Sequence, residues 1–336
     1  MSIRGGIDLG GTKIQAVVVA DGGAVLGESR LPTPTTGGPP DVAAAMAEAV
    51  RVAADQAGTA SGELEGVGVG SPGVVDDKAG TVAQARNLPS WEEAYPLRDV
   101  LAKELGTGVR LGNDVQVATD AEFALGSAQP YKSILGVFWG TGVGGGIVLN
   151  GKPWVGRSAA GEIGHMVVRM GGRRCPCGRQ GCMEAYAGRL SLERRARELH
   201  DRGHKTRLFE IMEERGRDRL TSGVWARALK AEDRVATKLM DQAVKALGAG
   251  VASSVNLLDV EAVVIGGGMG VRLGEPYANR ILDAMMPHLF VDSNPPGVHV
   301  AALGDLGGAI GASLLVKAPR RKRPAAARSK STRSNK

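Results

Sequence analysis

The sequence predicts an α/β fold made of two halves with a cleft between them. In its first third, segments typical of strands and helices follow the order β-β-β-α-β-α, and a second pair of strands with helices follows later. Hydrophobic residues make up 43% of the 336 residues, enough for a full core in two domains or one large one. The 50 glycines cluster in short runs, which indicates tight turns at several sites. Because the early strands are predicted to be antiparallel neighbours, a plain doubly wound nucleotide-binding fold is excluded.

The first elements follow from local patterns. Short apolar runs separated by glycines predict a β-meander over residues 3–33. A helix is predicted next, because Pro39 and Pro40 precede an alanine-rich stretch. Asp41 suits the N-cap of this helix, and Gly58 suits its end.

The later elements alternate between strands and helices. Residues 109–128 predict a strand, a turn at Asn113–Asp114, and a helix with these two residues at its N-terminus. The other predicted elements are a buried strand running into a loop within 63–73, a glycine-rich hairpin over 132–151, helices from Tyr186 to about Ala231, a long helix from about Asp233 to Val255, a strand opening into a glycine turn over 261–270, and a closing helix over 304–317. We expect a small N-terminal α/β domain, 1–113, completed by the closing helix, and a large α/β domain, 114–303.

The basic charge of the chain belongs to its C-terminus. The net charge is +7, but the stretch from Lys317 to Lys336 holds nine Lys and Arg and no acid, so removing it leaves −2 for the remainder. Residues 318–336 have too few apolar side chains to bury, and we expect a disordered basic tail. The tail is either a solvated extension or a site of weak electrostatic contact with nucleic acid or another polyanion. Aromatic residues, at 4%, argue against a stacking surface for single-stranded nucleic acid.

All three cysteines lie within eight positions, at Cys175, Cys177 and Cys182. An odd number cannot all pair in disulfides. The N-terminus has no apolar core of signal-peptide length, and no apolar run could span a bilayer, so we expect a cytoplasmic protein with reduced thiols. Clustered reduced thiols indicate a metal, and His165, ten residues upstream, would complete the Cys₃His set that structural zinc favours. A redox-active or merely buried thiol cluster is the alternative.

Three glycine-rich segments bear on ligand binding: residues 8–13 (DLGGTK), 139–146 (WGTGVGGG) and 266–270 (GGGMG). Backbone N–H groups of glycine turns can approach a phosphate closely, and two of the segments add a threonine hydroxyl. Each segment alone is equally compatible with a tight hairpin turn, and DLGGTK has the spacing of neither a P-loop nor G-x-G-x-x-G. Three in one chain favour a nucleoside triphosphate site. The candidate contacts are Asp8, Gly10, Gly11, Thr12, Lys13, Gly140, Thr141, Gly142, Gly266, Gly267 and Gly268.

Two carboxylates have positions suited to phosphoryl transfer, which requires a metal-associated acid and a group that orients or deprotonates the acceptor. Asp8, beside the first glycine turn, suits a carboxylate associated with Mg²⁺. Asp114, at a helix N-terminus after a strand, suits the second role. A plain helix cap is the alternative for Asp114.

Taken together, these motifs resemble the ROK family of sugar kinases, most closely its bacterial glucokinases. The resemblance runs from DLGGTK through GVGSPG, LGND, GTGVGGG, GEIGH, CPCGRQGCMEA and VIGGG, which covers nearly everything up to residue 316. The cysteine motif with its upstream E-x-G-H is highly specific, whereas the glycine turns are not. The resemblance implies an actin-like ATPase (ribonuclease H-like) fold whose two α/β domains close over a sugar and ATP.

The resemblance also implies roles for single residues. Asp114 would be the general base. The sugar hydroxyls would be held by Asn113, Asp114, Glu162, His165 and Glu184, and zinc by His165, Cys175, Cys177 and Cys182. If one ring nitrogen of His165 binds zinc, the other can reach a sugar hydroxyl. The zinc would then be a rigid support for the sugar side of the site.

The implied activity is transfer of the γ-phosphoryl group of ATP to the 6-hydroxyl of a hexose, with glucose as the first acceptor. N-acetylglucosamine, N-acetylmannosamine, mannose and fructose are alternative acceptors, because selectivity depends on space near the 2-position. We expect residues 71–73 and 86–91 to line that wall, with Asn87 as a contact. A homodimer or homotetramer is also expected.

Two rival functions remain. A transcription regulator of the same family would carry a helix-turn-helix before the first phosphate turn, but only seven residues precede Asp8. The other rival function is a kinase that uses inorganic polyphosphate as donor and binds it along the basic tail. The chain departs from the family pattern at Gln116, where a second Asn is usual, and in its basic tail.

Overall fold

The computed structural model describes residues 2–85 and 87–316 of the chain. Its first sheet and the helices around it are formed by β1 Ile3–Leu9, β2 Lys13–Ala20, β3 Val25–Pro32, α1 Pro39–Gln56, β4 Val67–Ser71, α2 Leu97–Leu105, β7 Val109–Asn113 and α3 Asp114–Leu125, with a small hairpin of β5 Val74–Asp76 and β6 Thr81–Ala83. The second sheet and its helices are formed by β8 Ile134–Trp139, β9 Val143–Leu149, β10 Lys152–Pro153, α4 Glu184–Ala187, α5 Arg189–Asp201, α6 Leu208–Glu214, α7 Ser222–Lys230, α8 Arg234–Leu258, β11 Ala262–Gly266, α9 Gly267–Met285 and β12 Gly297–Val300, and the last helix is α10 Gly307–Ser313.

Both large sheets combine an antiparallel hairpin with parallel strands. The first has the strand order β3-β2-β1-β4-β7, and the predicted meander forms its antiparallel part. Strands β4 and β7 then run parallel to β1, so the C-terminal ends of these three strands lie at one edge. The second sheet repeats the arrangement in the order β10-β9-β8-β11-β12, with β8, β11 and β12 parallel. Polar residues that end the parallel strands are thus collected at one edge of each sheet.

Helix α3 connects the two sheets. It follows directly on β7 and packs against β9 and α10. Gln116 fixes the contact with β9, because its Oε1 accepts from the Ile147 N–H at 3.0 Å and its Nε2 donates to the Ile147 carbonyl at 3.1 Å. This departure from the family pattern therefore has a structural role between the helix and the second sheet.

Helix α10 lies unusually close to its neighbours. A side chain on Gly6 or Gly68 would collide with the α10 backbone, and one on Gly311 would collide with the Val117 carbonyl of α3. The helix consequently packs against the first sheet on one side and α3 on the other. Several glycines of this chain serve close packing rather than turns.

The structure corrects three local predictions. Asp41 is not the N-cap of α1: the cap is Gly38, and Asp41 stands at the third helical position, where its Oδ2 accepts from the Gly38 N–H at 3.1 Å. Pro39 and Pro40 are the first two helical residues rather than a preceding segment, which suits proline because its missing N–H is not needed there. The segment after β11 is not a free turn, because α9 begins at Gly267.

Other expectations agree with the structure or lie outside it. The long helix begins after Asp233, which caps it by accepting from the Ala236 N–H at 2.8 Å, and continues to Leu258. The domain boundaries at 113/114 and 303/304 stay predictions. The basic tail, 318–336, lies outside the described residues. Over residues 2–85 and 87–316, no helix is long and apolar enough to cross a membrane.

Candidate active site

Asp8 lies near the C-terminal end of β1, just before the first glycine turn. The turn closes where the Gly10 N–H donates to the Lys13 carbonyl at 2.9 Å, and Thr33 Oγ1 donates to the Gly10 carbonyl at 2.6 Å. Burial raises the pKa of Asp8, and the nearby Lys13 ammonium lowers it in part. A Cβ added to Gly308, at the start of α10, would lie 2.8 Å from the Asp8 carboxylate. Asp8 is therefore enclosed by the turn and by α10.

Asp114 lies at the first residue of α3, directly after β7. Asn113 caps the helix, with its Oδ1 accepting from the N–H groups of Val115 and Gln116 at 3.1 Å each. Burial raises the pKa of Asp114 to about 7, and the carboxylates of Asp8 and Glu162 act in the same direction. The alternative reading, a plain cap, therefore applies to Asn113, and Asp114 stays available for another role.

The second and third glycine segments lie side by side. A Cβ added to Gly140 would lie 3.8 Å from the Gly268 backbone nitrogen, and one on Gly267 would lie 2.6 Å from the Trp139 carbonyl oxygen. Gly267 has a positive φ of 76°, which permits this close approach. Two of the three segments predicted to hold phosphates are thus contiguous, at the C-terminal ends of β8 and β11.

His165 and the three cysteines form one cluster. Their potential ligand atoms all lie within 4.8 Å of one another, with Cys177 Sγ 3.7 Å from Cys182 Sγ and His165 Nδ1 3.9 Å from Cys175 Sγ. Tetrahedral zinc with bonds of about 2.3 Å keeps its sulfur ligands roughly 3.8 Å apart. The donor set and its spacing fit zinc.

Glu162 and Glu184 flank this cluster. The Glu162 carboxylate lies 3.8 Å from His165 Nε2, the ring nitrogen that faces away from Cys175. Glu184 accepts from the Val143 N–H at 3.0 Å with one oxygen and from Cys175 Sγ at 3.7 Å with the other. Glu184 therefore links the cysteine cluster to the second glycine segment.

Asn87, the remaining sugar-contact prediction, lies beside the first glycine turn. A Cβ added to Gly11 would lie 3.0 Å from the Asn87 carbonyl oxygen and 3.1 Å from its Nδ2. Asn87 thus packs on the first glycine turn. The Asn113 amide oxygen is occupied by the helix cap, so only its Nδ2 can donate to a ligand.

Sequence reasoning missed several residues that support the site. Thr33 holds the first glycine turn, and Glu122 accepts from the N–H groups of Ala302 and Leu303 at 3.0 and 2.9 Å, just before α10. Arg189 donates to Thr141 Oγ1 at 3.1 Å. None of these has a distinctive motif, since Arg189 precedes several other arginines and Thr33 follows a proline in an ordinary loop.

Comparisons with known proteins find sugar kinases that are similar over most of the chain. The glucokinase of Thermotoga maritima is 32% identical over 317 residues, which are 93% of this chain and 96% of that protein. An N-acetylmannosamine kinase of Haemophilus influenzae is 30% identical, covering 93% of this chain and 94% of that protein.

Solved structures agree. The crystal structure of a ROK family glucokinase from Streptomyces griseus, in complex with glucose and AMPPNP, superposes with a TM-score of 0.81 at 32% identity, covering 94% of this chain and 99% of that chain. The predicted actin-like ATPase fold is confirmed by this likeness. Residues 4–319 match the ROK family. The chain belongs to the ROK family.

Proposed function

We propose that this chain transfers the γ-phosphoryl group of ATP to the 6-hydroxyl of a hexose, with glucose as the preferred acceptor. The observation that carries the proposal is the half-buried Asp114 carboxylate at the start of α3, beside Asp8 and Glu162, with a pKa raised to about 7. A base is most effective when its pKa lies near the working pH. ROK family membership and the similarity to glucokinases support the same reaction.

In the proposed reaction, Asp114 orients the acceptor hydroxyl and accepts its proton as the phosphoryl group is transferred. The N–H groups of the glycine segments at 10–12, 140–142 and 266–268 bind the donor phosphates. Asp8 is the carboxylate placed to hold Mg²⁺, and bound Mg²⁺ would neutralise charge on those phosphates. Burial raises the pKa of both carboxyls, and the nearby Asp8 carboxylate raises the pKa of Asp114 further.

The sugar is proposed to bind between α3 and the cysteine cluster. Asn113 Nδ2, Glu162, His165 and Glu184 would bind its hydroxyls, and the carboxylates suit this role because they accept strong hydrogen bonds. His165 Nε2 faces Glu162 while Nδ1 faces Cys175, so one ring can serve the sugar and the metal together. For Asn87, contact with the first glycine turn favours a place near the transferred group rather than at the 2-position wall.

We further propose structural Zn²⁺ at His165, Cys175, Cys177 and Cys182, in support of the sugar site. The Cys₃His donor set and the spacing of its atoms favour this ion. No position is left open for catalysis in a four-coordinate site of this kind. A redox-active or merely buried thiol cluster stays the alternative. A homodimer or homotetramer, a cytoplasmic location and a weak polyanion contact through the tail also stay predictions.

A panel of acceptors and donors tests the function. Glucose, N-acetylglucosamine, N-acetylmannosamine, mannose and fructose would each be supplied with MgATP, and ADP release followed in a coupled assay. Inorganic polyphosphate replaces MgATP in a second series, with glucose 6-phosphate formation as the readout. The proposal expects the highest kcat/KM for glucose with MgATP. An N-acetylated hexose as best acceptor would replace glucose, since an N-acetylmannosamine kinase is nearly as similar.

The assay also separates the regulator alternative. A DNA-binding regulator would show no turnover with any acceptor and would retard DNA in a gel shift at physiological salt. Turnover with any hexose would contradict that alternative.

A further inference from the structure

We propose that Arg189 binds the phosphates of the donor nucleotide, an inference that rests on the proposed kinase function. Its guanidinium lies at the second glycine segment, where Nη2 donates to Thr141 Oγ1 at 3.1 Å and Nη1 donates to the Leu220 carbonyl at 3.3 Å. The backbone reinforces this position. The Arg189 N–H donates to the Gly140 carbonyl at 3.1 Å, and the Leu190 N–H donates to the Thr141 carbonyl at 3.1 Å.

Among the described residues, Arg189 makes no direct ion pair, although the more distant Glu193 carboxylate acts on its charge. Within the part of the chain that the structure describes, no carboxylate oxygen lies within 4.0 Å of its guanidinium. Glu193, one turn along α5, is instead engaged by Arg197 at 3.0 Å and by Arg219 at 3.2 Å. A half-buried guanidinium without a carboxylate partner, held next to a glycine turn, suits a phosphate group.

Two helices, α7 and α9, begin close to Arg189 and the second glycine segment. Helix α7 begins at Ser222, two residues after the Leu220 carbonyl that holds Arg189, and its N-cap residue Thr221 makes no side-chain capping bond. Helix α9 begins at Gly267, and a Cβ added to Gly268 would lie 3.9 Å from Ser222 Oγ. The N-terminus of a helix carries partial positive charge and free N–H groups. Arg189 therefore adds a full charge to a region where the backbone already favours an anion.

The test replaces Arg189 with methionine, which keeps an unbranched apolar stem but removes the charge and the donors. Arg189→Lys keeps the charge without the two-armed geometry. Arg195→Met is the matched control, because Arg195 lies on the same helix and pairs with Glu198 at 2.7 Å on the surface. Binding of MgATP and of adenosine, which has no phosphates, is measured by titration calorimetry for each purified chain. Thermal unfolding without ligand is recorded in parallel.

Arg189→Met is expected to weaken MgATP binding roughly tenfold to a hundredfold, the worth of a charge-assisted hydrogen bond. Adenosine binding should stay at the wild-type value, and Arg189→Lys should lie between the two. Arg195→Met should bind both ligands as the wild type does. The KM for sugar should change little in any of them.

Two results would overturn the inference. Wild-type affinity for MgATP in Arg189→Met would show that the charge does not meet the phosphates. Equal losses of MgATP and adenosine binding, with lower thermal stability, would show that Arg189 only holds the glycine segment in place. Failure of the proposed function is distinct, because it would show as absent hexose turnover in the wild type, while the binding comparison still decides the role of Arg189.

Discussion

Asp114 experiences opposing influences on its charge. Its position at a helix N-terminus and the N–H of Val115, which donates to its Oδ1 at 2.9 Å, favour the carboxylate. Burial favours the neutral acid, and the neighbouring carboxylates of Asp8 and Glu162 add to that effect. Burial is the largest influence, so the pKa rises to about 7. Such a group can both accept and release a proton near neutral pH.

Asp114→Asn should separate binding from turnover. The amide keeps the shape and a hydrogen bond but cannot accept a proton, so sugar binding should survive within roughly tenfold. Turnover should fall by a factor on the order of 10² to 10⁴. Glu162→Gln and Glu184→Gln should mainly raise KM, because those residues hold the sugar in ground and transition states alike. Steady-state kinetics with glucose and MgATP compare the three, and near wild-type kcat in Asp114→Asn would remove Asp114 as the base.

The rate should also depend on pH with a definite sign. Since a base must be deprotonated, kcat/KM for glucose is expected to fall as the pH drops below about 7, the pKa to which burial raises Asp114. An ordinary aspartate would hold its activity to below about pH 4. A pH series from 5.5 to 8.5 distinguishes the two. The residual activity of Asp114→Asn is the control and should lack this acid limb. An unchanged wild-type rate at pH 5.5 would contradict the assignment.

At this scale the sequence identifies residues that end strands or belong to a motif, but not how their atoms are engaged. Asn113 and Asp114 could be predicted because a strand followed by a helix places them at the sheet edge. The occupied oxygen of Asn113 and the place of Asn87 on Gly11 depend on packing between distant segments. Arg189 could not be predicted for the same reason, since its contacts with Thr141 and Leu220 join residues that are 48 and 31 positions apart in sequence.

Among the elements, α10 is the one whose composition is explained only by its neighbours. Its glycines would read as poor helix formers in isolation. In the structure, Gly311 lies against the Val117 carbonyl of α3, and Gly68 of β4 lies against the Ala312 carbonyl. The helix can approach both only because these positions have no side chain. The loss in helix propensity is thus offset by close packing beside Asp8.

Gly311→Ala tests this packing. Alanine would gain about 1 kcal/mol of helix propensity. The added methyl group collides with backbone that cannot rotate away, and overpacking of this kind costs about 1–3 kcal/mol or more. We expect a net loss of stability, measured as a lower midpoint of urea unfolding. Gly108→Ala is the control, because a Cβ there meets nothing within 4 Å. Equal midpoints for the two variants would contradict the packing argument.

The loop that carries the cysteines gives a metal prediction. Purified protein should contain about one zinc per chain. Cys177→Ser should lose the metal and lower both the melting temperature and the affinity for sugar, because a missing ligand loosens His165 and Glu184 together. Elemental analysis and sugar titration measure the two effects. Fully active enzyme without zinc would refute the supporting role of the metal.

Helices and strands could be predicted where the spacing of apolar residues agrees with residues that typically begin or end such elements. The meander, the second hairpin, α1, α3 and α8 all follow from alternating patterns or from helices with recognisable ends. The segment after β11 could not be predicted, because three glycines predict a turn whereas the structure begins α9 there. There Gly267 packs against Trp139 of β8, a contact between segments far apart in sequence that a local pattern does not reveal.

Across the whole molecule, one arrangement occurs twice. Each large sheet joins an antiparallel hairpin to parallel strands, and each hairpin turn is a candidate phosphate segment. Helix α3 packs between them and begins with the proposed base.

The charge of the chain is distributed unevenly, because residues 317–336 hold nine basic side chains and the remainder is nearly neutral. We therefore expect that the basic C-terminal residues can be removed without loss of catalysis.

Deleting residues 318–336 tests this expectation. Because all proposed ligand contacts lie before residue 318, the melting temperature and the kcat with MgATP should stay nearly unchanged. If polyphosphate also serves as donor, the deletion should reduce that activity selectively and most strongly at low salt, where electrostatic attraction is least screened. The full chain is the control in both assays. A large loss of MgATP-dependent turnover would show that the tail takes part in the reaction.

The hydrogen bonds between the Gln116 amide and the Ile147 backbone also bear on how this sheet could associate with other molecules. Strand β10 is only two residues long and pairs with Val148 and Leu149, so at Ile147 the outer edge of β9 has no strand partner beyond the Trp154 N–H. Unpaired backbone groups at a sheet edge invite strands from other molecules. The glutamine amide meets both groups from within the same chain, with the Trp154 N–H sharing the carbonyl at 2.8 Å. We therefore expect the amide at position 116 to make this stretch of backbone less available to strands of other molecules.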